Sequence, residues 1–286
     1  MGKYKYIIFI LALALLPAMI LFRIPRSEVE EPKHVIDIGA IEYANITVLI
    51  DNNAFNGLRS PWGISIYVET PNITILFDTG PRPEDLEYNC RLLKVDLSKV
   101  DIVVLSHEHG DHIGGLGYLA GQAPNATVYV PSGMSNFVKN EIRKLNFKLI
   151  EVEQTTIISE GIAVVGQLYG PPYEQALALN IKNLGLVVIV GCSHPGVDKI
   201  VHKIALETGE KPYLVLGGFH MAAASKNKIT SVILNLVAHG VNYIAPIHCS
   251  GDNFRKIMSK DFRDKYLELH VGSRLIVNST GVYLRG

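Results

Sequence analysis

An apolar, β-branched run, Ile102-Val103-Val104-Leu105, stops at Ser106 and gives way to His107-Glu108-His109-Gly110-Asp111-His112-Ile113-Gly114-Gly115. Consecutive apolar residues of this kind have the length and composition of a strand buried on both faces. The glycines that follow let the chain turn. Four metal-capable side chains, His107, His109, Asp111 and His112, therefore crowd into six positions at the carboxyl end of a strand. In α/β sheets that is the edge where sites are built. A chain with this stretch has to bury the strand inside an α/β core and keep the polar turn at the rim.

Neutral imidazole and carboxylate suit Zn²⁺, with iron or manganese as the alternatives, and a set without thiolates argues against an iron–sulfur cluster. Side chains on so tight a turn diverge, so a single ion does not reach all four. Two ions do: His107 and His109 point one way, Asp111 and His112 the other. A pair of ions roughly 3.5–4 Å apart holds a shared hydroxide and clamps both oxygens of a displacement reaction.

H-x-H-x-D-H after an apolar strand resembles the signature of the metallo-β-lactamase superfamily, and Phe77-Asp78-Thr79-Gly80 is similar to that superfamily's strand-end D-T-G. Gly191-Cys192-Ser193-His194-Pro195-Gly196, Gly217-Gly218-Phe219-His220 and Pro246-Ile247-His248-Cys249 resemble the branch that includes archaeal dihydropterin ribofuranosyl-aminobenzene phosphate synthases. The resemblance covers residues 45–285. It implies an α/β fold, a four-layer αββα sandwich of two mixed β-sheets with the site between the sheet edges. It also implies two divalent metal ions and a hydrolase or related transferase that turns metal-activated hydroxide on a small, anionic or phosphorylated substrate. One departure stands out: the branch carries an acidic pair before its Gln-Ala-Leu, and here Tyr173-Glu174 precede Gln175-Ala176-Leu177.

The same resemblance assigns roles. Asp78 supports the metal loop from the neighbouring strand. His248, just past an apolar strand, falls where the family's final metal histidine falls and joins Asp111 and His112. The family's usual further histidine is missing between His112 and His194, and Gly191-Cys192 stands where a bridging Gly-Asp is expected. Two arrangements follow. Either His194 takes the third place on the first metal, or Cys192 replaces the bridging carboxylate and the first metal is short of a ligand. Asp111 orients the nucleophile and takes its proton, and His220, behind two glycines, reads as a general acid, a contact to a substrate phosphate or a further ligand, with protonation of the leaving group its first assignment. His34, His202, His239 and His270 lack the strand-end setting and read as surface or helix-face residues.

Lys plus Arg equals Asp plus Glu, 27 each, so the chain carries no basic footprint for a nucleic-acid backbone, and a small-molecule substrate is expected instead. A flavin-linked di-iron reductase is disfavoured as well, because the motif lacks Glu among its ligands and no flavin domain is visible. The non-enzymatic alternative is a membrane-tethered protein that binds a metal or ligand at this site. Cys90, Cys192 and Cys249 form an odd set with no paired spacing, hence no disulfide framework.

At the amino terminus, Lys3 and Lys5 precede an apolar run from Tyr6 to Phe22, with Arg23 and Arg26 after it. Residues 1–26 thus read as an uncleaved membrane anchor or, second, as a signal peptide. Residues 27–44 read as a linker leading into a catalytic domain at 45–286. The small excess of amino-terminal positive charge puts that domain outside the cytoplasm, membrane-anchored or secreted after cleavage.

Overall fold

A computed structural model describes residues 35–55 and 57–285. Its strands follow the apolar runs. In the first half these are β1 (Tyr43–Ile50), β2 (Ser65–Glu69), β3 (Thr74–Phe77), β4 (Ile102–Val104), β5 (Thr127–Pro131) and β6 (Lys148–Val152). The second half supplies β7 (Thr156–Ser159), β8 (Ile162–Tyr169), β9 (Tyr173–Ile181), β10 (Gly185–Val190), β11 (Pro212–Gly218) and β12 (Tyr243–Ile247), and the chain closes with β13 (Arg274–Asn278) and β14 (Gly281–Arg285). Among the described residues seven α-helices connect them: α1 (Pro83–Leu93), α2 (Gly110–Ile113), α3 (Leu116–Gln122), α4 (Asn136–Lys144), α5 (Val197–Thr208), α6 (Lys226–Ala238) and α7 (Asp252–Asp261).

The strands form two mixed sheets. One runs β14-β13-β1-β2-β3-β4-β5-β6, with β3 through β6 parallel to one another. The other runs β12-β11-β10-β9-β8-β7, with β10, β11 and β12 parallel. Alternate residues of each strand go to different layers. Ile75, Phe77, Ile102 and Val104 meet Leu177, Val187, Ile189, Leu214 and Leu216 between the sheets. Leu76 and Val103 face outward with Leu86, Leu119 and Ile142 of α1, α3 and α4. Val188 and Val215 face the other way, toward Ile200, Ile233 and Phe254 of α5, α6 and α7. Strands covered on both faces have no reason to alternate apolar with polar, which is why these runs are continuous. The result is the four-layer αββα sandwich.

Ile38 and Ile41 are buried ahead of β1, so the packed domain takes in residues before 45. One expectation is corrected. Among the described residues no helix is long and apolar enough to cross a membrane; the longest, α6, has 13 residues, against the roughly 20 a span requires. The run from 6 to 22 that carried the anchor and signal readings lies outside the described residues. The membrane-anchored and extracytoplasmic placements are withdrawn.

Candidate metal centre

Six strand ends meet at one edge of the sandwich. β1 delivers Asp51 and Asn52, β3 Asp78, β4 the histidine loop, β10 Cys192 and His194, β11 His220 and β12 His248. Strain collects at the same place. Among the described residues seven that are not glycine have positive φ, and Asp78 (54°), Ser193 (61°), His220 (51°) and His248 (49°) are four of them. Such left-handed residues cost of order 1–3 kcal/mol each and persist where the surroundings over-determine them. The loop glycines answer to close packing. A Cβ on Gly115 would stand 2.2 Å from Thr79 O, and one on Gly114 2.0 Å from Pro81 O.

The structure gathers the site residues into two trios. Ligand atoms of His107, His109 and His194 lie within 4.8 Å of one another, and so do those of Asp111, His112 and His248. Cys192 stands between the trios, its Sγ 3.3 Å from His112 Nε2 and 3.4 Å from His248 Nε2, and it also groups with His107 and His112. His194 thus sits with the first trio, which is not short of a donor, while Cys192 takes the central position. His220 stacks on His194 with ring centroids 4.4 Å apart, exposed at the mouth. Of the other histidines, His202 stacks on His239 and His270 on Phe55, while His34 lies outside the described residues.

Hydrogen bonds set the ring orientations. His112 Nδ1 is 2.7 Å from Asp78 Oδ2, and Asp78 also accepts from Ser106 N and Ser106 Oγ at 2.7 Å each. His248 Nδ1 donates to Asn52 Oδ1 at 3.1 Å, and the same oxygen accepts Gly63 N–H at 3.2 Å. With Nδ1 committed to an acceptor, each ring turns Nε2 inward, toward Cys192 and the Asp111 carboxylate, 3.6 Å from His112 and 3.3 Å from His248. That tautomer is the one a metal takes, and a ligating histidine held by an outer acceptor is the usual supporting arrangement. In the first trio, His107 Nδ1 meets Ser106 Oγ at 2.9 Å, leaving Nε2 3.0 Å from His109 Nδ1. His194 Nε2 is buried with no hydrogen-bond partner. A buried nitrogen without a partner is costly, and a divalent ion is the occupant that satisfies it beside two further imidazoles. The donor set fits zinc, iron or manganese.

The electrostatics agree with that fit. Burial, helped by His112, His109 and His194, keeps the His107 ring pKa well below its ordinary value. Burial, with His220 and His109 beside it, lowers His194 to about 4. Burial acts to raise Asp111, but His248 and His112 outweigh it and hold the carboxyl at about 2. All three are in their ligand forms at neutral pH. For His112, burial favours the neutral ring while Asp78, Asp111 and Glu174 together push the pKa above its ordinary value.

Four supporting residues carry little signal of their own in the sequence motifs. Asp51, fully buried, accepts His248 N–H at 2.6 Å, and Asn52 holds the His248 ring as described. Glu174 accepts the N–H groups of Cys192, Ser193 and His194 at 2.8, 2.7 and 2.7 Å. Gln175 next to it reaches the other sheet, donating to Leu105 O at 2.9 Å and Tyr129 O at 3.0 Å. This pair on β9 fastens the two halves of the site together. The departure from an acidic pair at Tyr173-Glu174 is the one visible pointer to it.

Comparison with known proteins follows the same lines. Residues 63–189 match the family described as the metallo-β-lactamase superfamily. The crystal structure of a metal-dependent hydrolase of the β-lactamase superfamily superposes with a TM-score of 0.71 at 28% identity, covering 82% of this chain and 99% of that one. The chain is a metallo-β-lactamase-fold protein. Among characterised relatives it is similar to 7,8-dihydropterin-6-methyl-4-(β-D-ribofuranosyl)-aminobenzene-5'-phosphate synthase of Methanocaldococcus jannaschii, 25% identical over 290 residues, which span 83% of this chain and 98% of the relative. A shorter stretch of 108 residues is 31% identical to ribonuclease Z of Listeria monocytogenes, covering 33% of this chain and 34% of that protein.

Proposed function

We propose that the protein is a metal-dependent hydrolase or related transferase that works at a dinuclear centre on a small, anionic or phosphorylated molecule. The observation that carries this reading is the pair of donor trios on either side of Cys192, with His194 Nε2 buried and unpartnered. His107, His109 and His194 would hold one ion; Asp111, His112 and His248 the other, with Cys192 between. Divalent ions there supply Lewis acidity and lower the pKa of water toward neutrality.

The chain's own groups do the rest. Asp111 Oδ2, beside both His112 and His248, is in reach to orient the attacking group and take its proton. Asp78 and Asn52 keep the second pair of imidazoles aimed inward throughout a turnover. Trp62 lies against His248 with ring centroids 5.1 Å apart and screens that side from bulk water. His220 stands at the mouth beside His194, where it hands a proton from its ring to the departing group. The synthase relative supports a phosphorylated substrate and keeps group transfer beside hydrolysis.

The test is metal analysis of the purified protein, followed by assay on esters, lactones and phosphodiesters with His109→Ala as control. The reading expects about two ions per chain and turnover that His109→Ala lacks. Bound metal, with wild type no faster than His109→Ala on any of these substrates, would leave a metal- or ligand-binding protein.

A further inference from the structure

Beyond the two trios a third group of donors stands at the same edge, on strands that are neighbours in one sheet. The parallel strands β10, β11 and β12 each end in a metal-capable residue: Cys192, His220 and Cys249. Their ligand atoms lie within 4.8 Å of one another. Neither thiol is tied up in a disulfide, and both are buried, while His220 opens to solvent.

The backbone is arranged to keep this set together. His220 N–H donates to Cys249 Sγ at 3.3 Å, and Cys249 Sγ approaches Cys192 O at 3.7 Å. Gly218 provides the room, since a Cβ there would stand 2.7 Å from Cys249 Sγ and 2.4 Å from Gly191 O. His220 and its neighbour strand end His248 both hold left-handed backbone, which places their side chains and Cys249 on the site rather than along the strands. Two sulfurs and a nitrogen around one tetrahedral ion stand roughly 3.5–3.8 Å apart, so the group closes on an ion with a shift of about 1 Å.

We propose that Cys192, Cys249 and His220 form a third ion site, selective for thiophilic cations such as Zn²⁺, Cd²⁺ or Cu⁺, on the solvent side of the dinuclear centre. Two thiolates and one imidazole are a softer set than either trio, so the site discriminates against manganese and magnesium. Cys192 is common to this site and to the inner donors, which makes the third ion the outermost member of a thiolate-linked cluster. For harder ions its affinity is the weakest of the three, because His220 is exposed and the fourth position is left to water. The binding stands independently of the activity proposed above. One consequence rests on that activity: an ion on His220 removes the proton donor for the leaving group, so excess thiophilic metal inhibits.

The experiment is titration of the metal-free, full-length protein with Cd²⁺, following the ultraviolet thiolate-to-metal charge-transfer band and counting ions by equilibrium dialysis. Wild type is expected to bind one ion more than Cys249→Ser and to show a stronger band at saturation. His220→Ala, a change at an exposed position, is expected to weaken binding at this one site at least tenfold and leave the ion count of the two trios unaltered. Mn²⁺ is expected to load no third ion. Equal stoichiometry and equal band intensity in wild type and Cys249→Ser would overturn the site. Because the readout is binding, it can fail while hydrolysis stands, or hold while hydrolysis fails.

Discussion

The carboxylate of Glu174 accepts the backbone N–H of His194 at 2.7 Å while its other oxygen takes the N–H groups of Cys192 and Ser193. A single side chain on β9 therefore sets the backbone that carries both the central thiol and the third imidazole of the first trio. Replacing it strands three buried donors at once. Glu174→Ala is expected to cost about 3 kcal/mol or more in unfolding free energy, since each unsatisfied buried donor costs about 1–3 kcal/mol. Urea denaturation measures this. Ion binding by the His107, His109 and His194 trio should weaken in parallel.

Asp78 has the matching role in the other sheet. It holds His112 in the inward-facing tautomer and fixes Ser106, whose hydroxyl also meets His107. Asp78→Asn turns one acceptor oxygen into a donor facing an N–H. Outer-layer changes of this type reduce metal affinity by roughly 10–100-fold. Competition against a chelator of known affinity reads the change, which is expected in the ion held by Asp111, His112 and His248. An affinity unaltered for both ions would show that His112 does not depend on Asp78 for its orientation.

Much of the fold and the site is legible in the sequence, and what is not has a common cause. The metal loop, His194, His220 and His248 can be found because each follows an apolar run, and a strand buried on both faces announces its own end. Asp51 and Asn52 also follow such a run, yet polar residues at a strand end read as a turn unless their partner is known. That partner, His248, lies 197 residues away from Asp51. Glu174 and Gln175 sit inside a strand, where the departure at Tyr173-Glu174 is the one pointer and nothing local shows that Gln175 reaches the other sheet. Cys249 gives no signal either, because cysteine spacing along the chain says nothing about strands brought side by side. The membrane reading fails differently: it rests on an apolar run outside the described residues, and none of the described helices replaces it.

Trp62 is the single tryptophan of the chain, 57% exposed and packed against His248. Its emission therefore reports on the filling of the centre, most strongly on the second trio. Co²⁺ is expected to quench that emission most as the trio fills, with a smaller change for the ion that goes to His107, His109 and His194. Asp111→Asn should shift the stronger quenching phase to higher Co²⁺ by at least tenfold and spare the weaker one. Quenching complete at the first equivalent in both proteins would mean that the two trios are not filled separately.

Acid should separate the folded and unfolded chains through His194. Its folded pKa is lowered to about 4, chiefly by burial, from the ordinary 6.5. Below pH 6.5 the unfolded chain takes up a proton there that the folded chain refuses, so the native state loses stability as pH falls toward 4. His107 acts in the same direction. Glu174, raised to about 7 by burial, acts in the opposite one, because its folded form holds a proton between 4.5 and 7 that the unfolded form has released. The absolute pH profile mixes these contributions, but the comparison with His194→Ala isolates the imidazole. Thermal melts of metal-free protein are expected to show wild type losing ground to His194→Ala between pH 6.5 and 4, with the difference constant above 7. A difference independent of pH would mean that His194 titrates in the folded chain as it does in the unfolded one, and that its Nε2 is not held in the buried, proton-free state a metal requires.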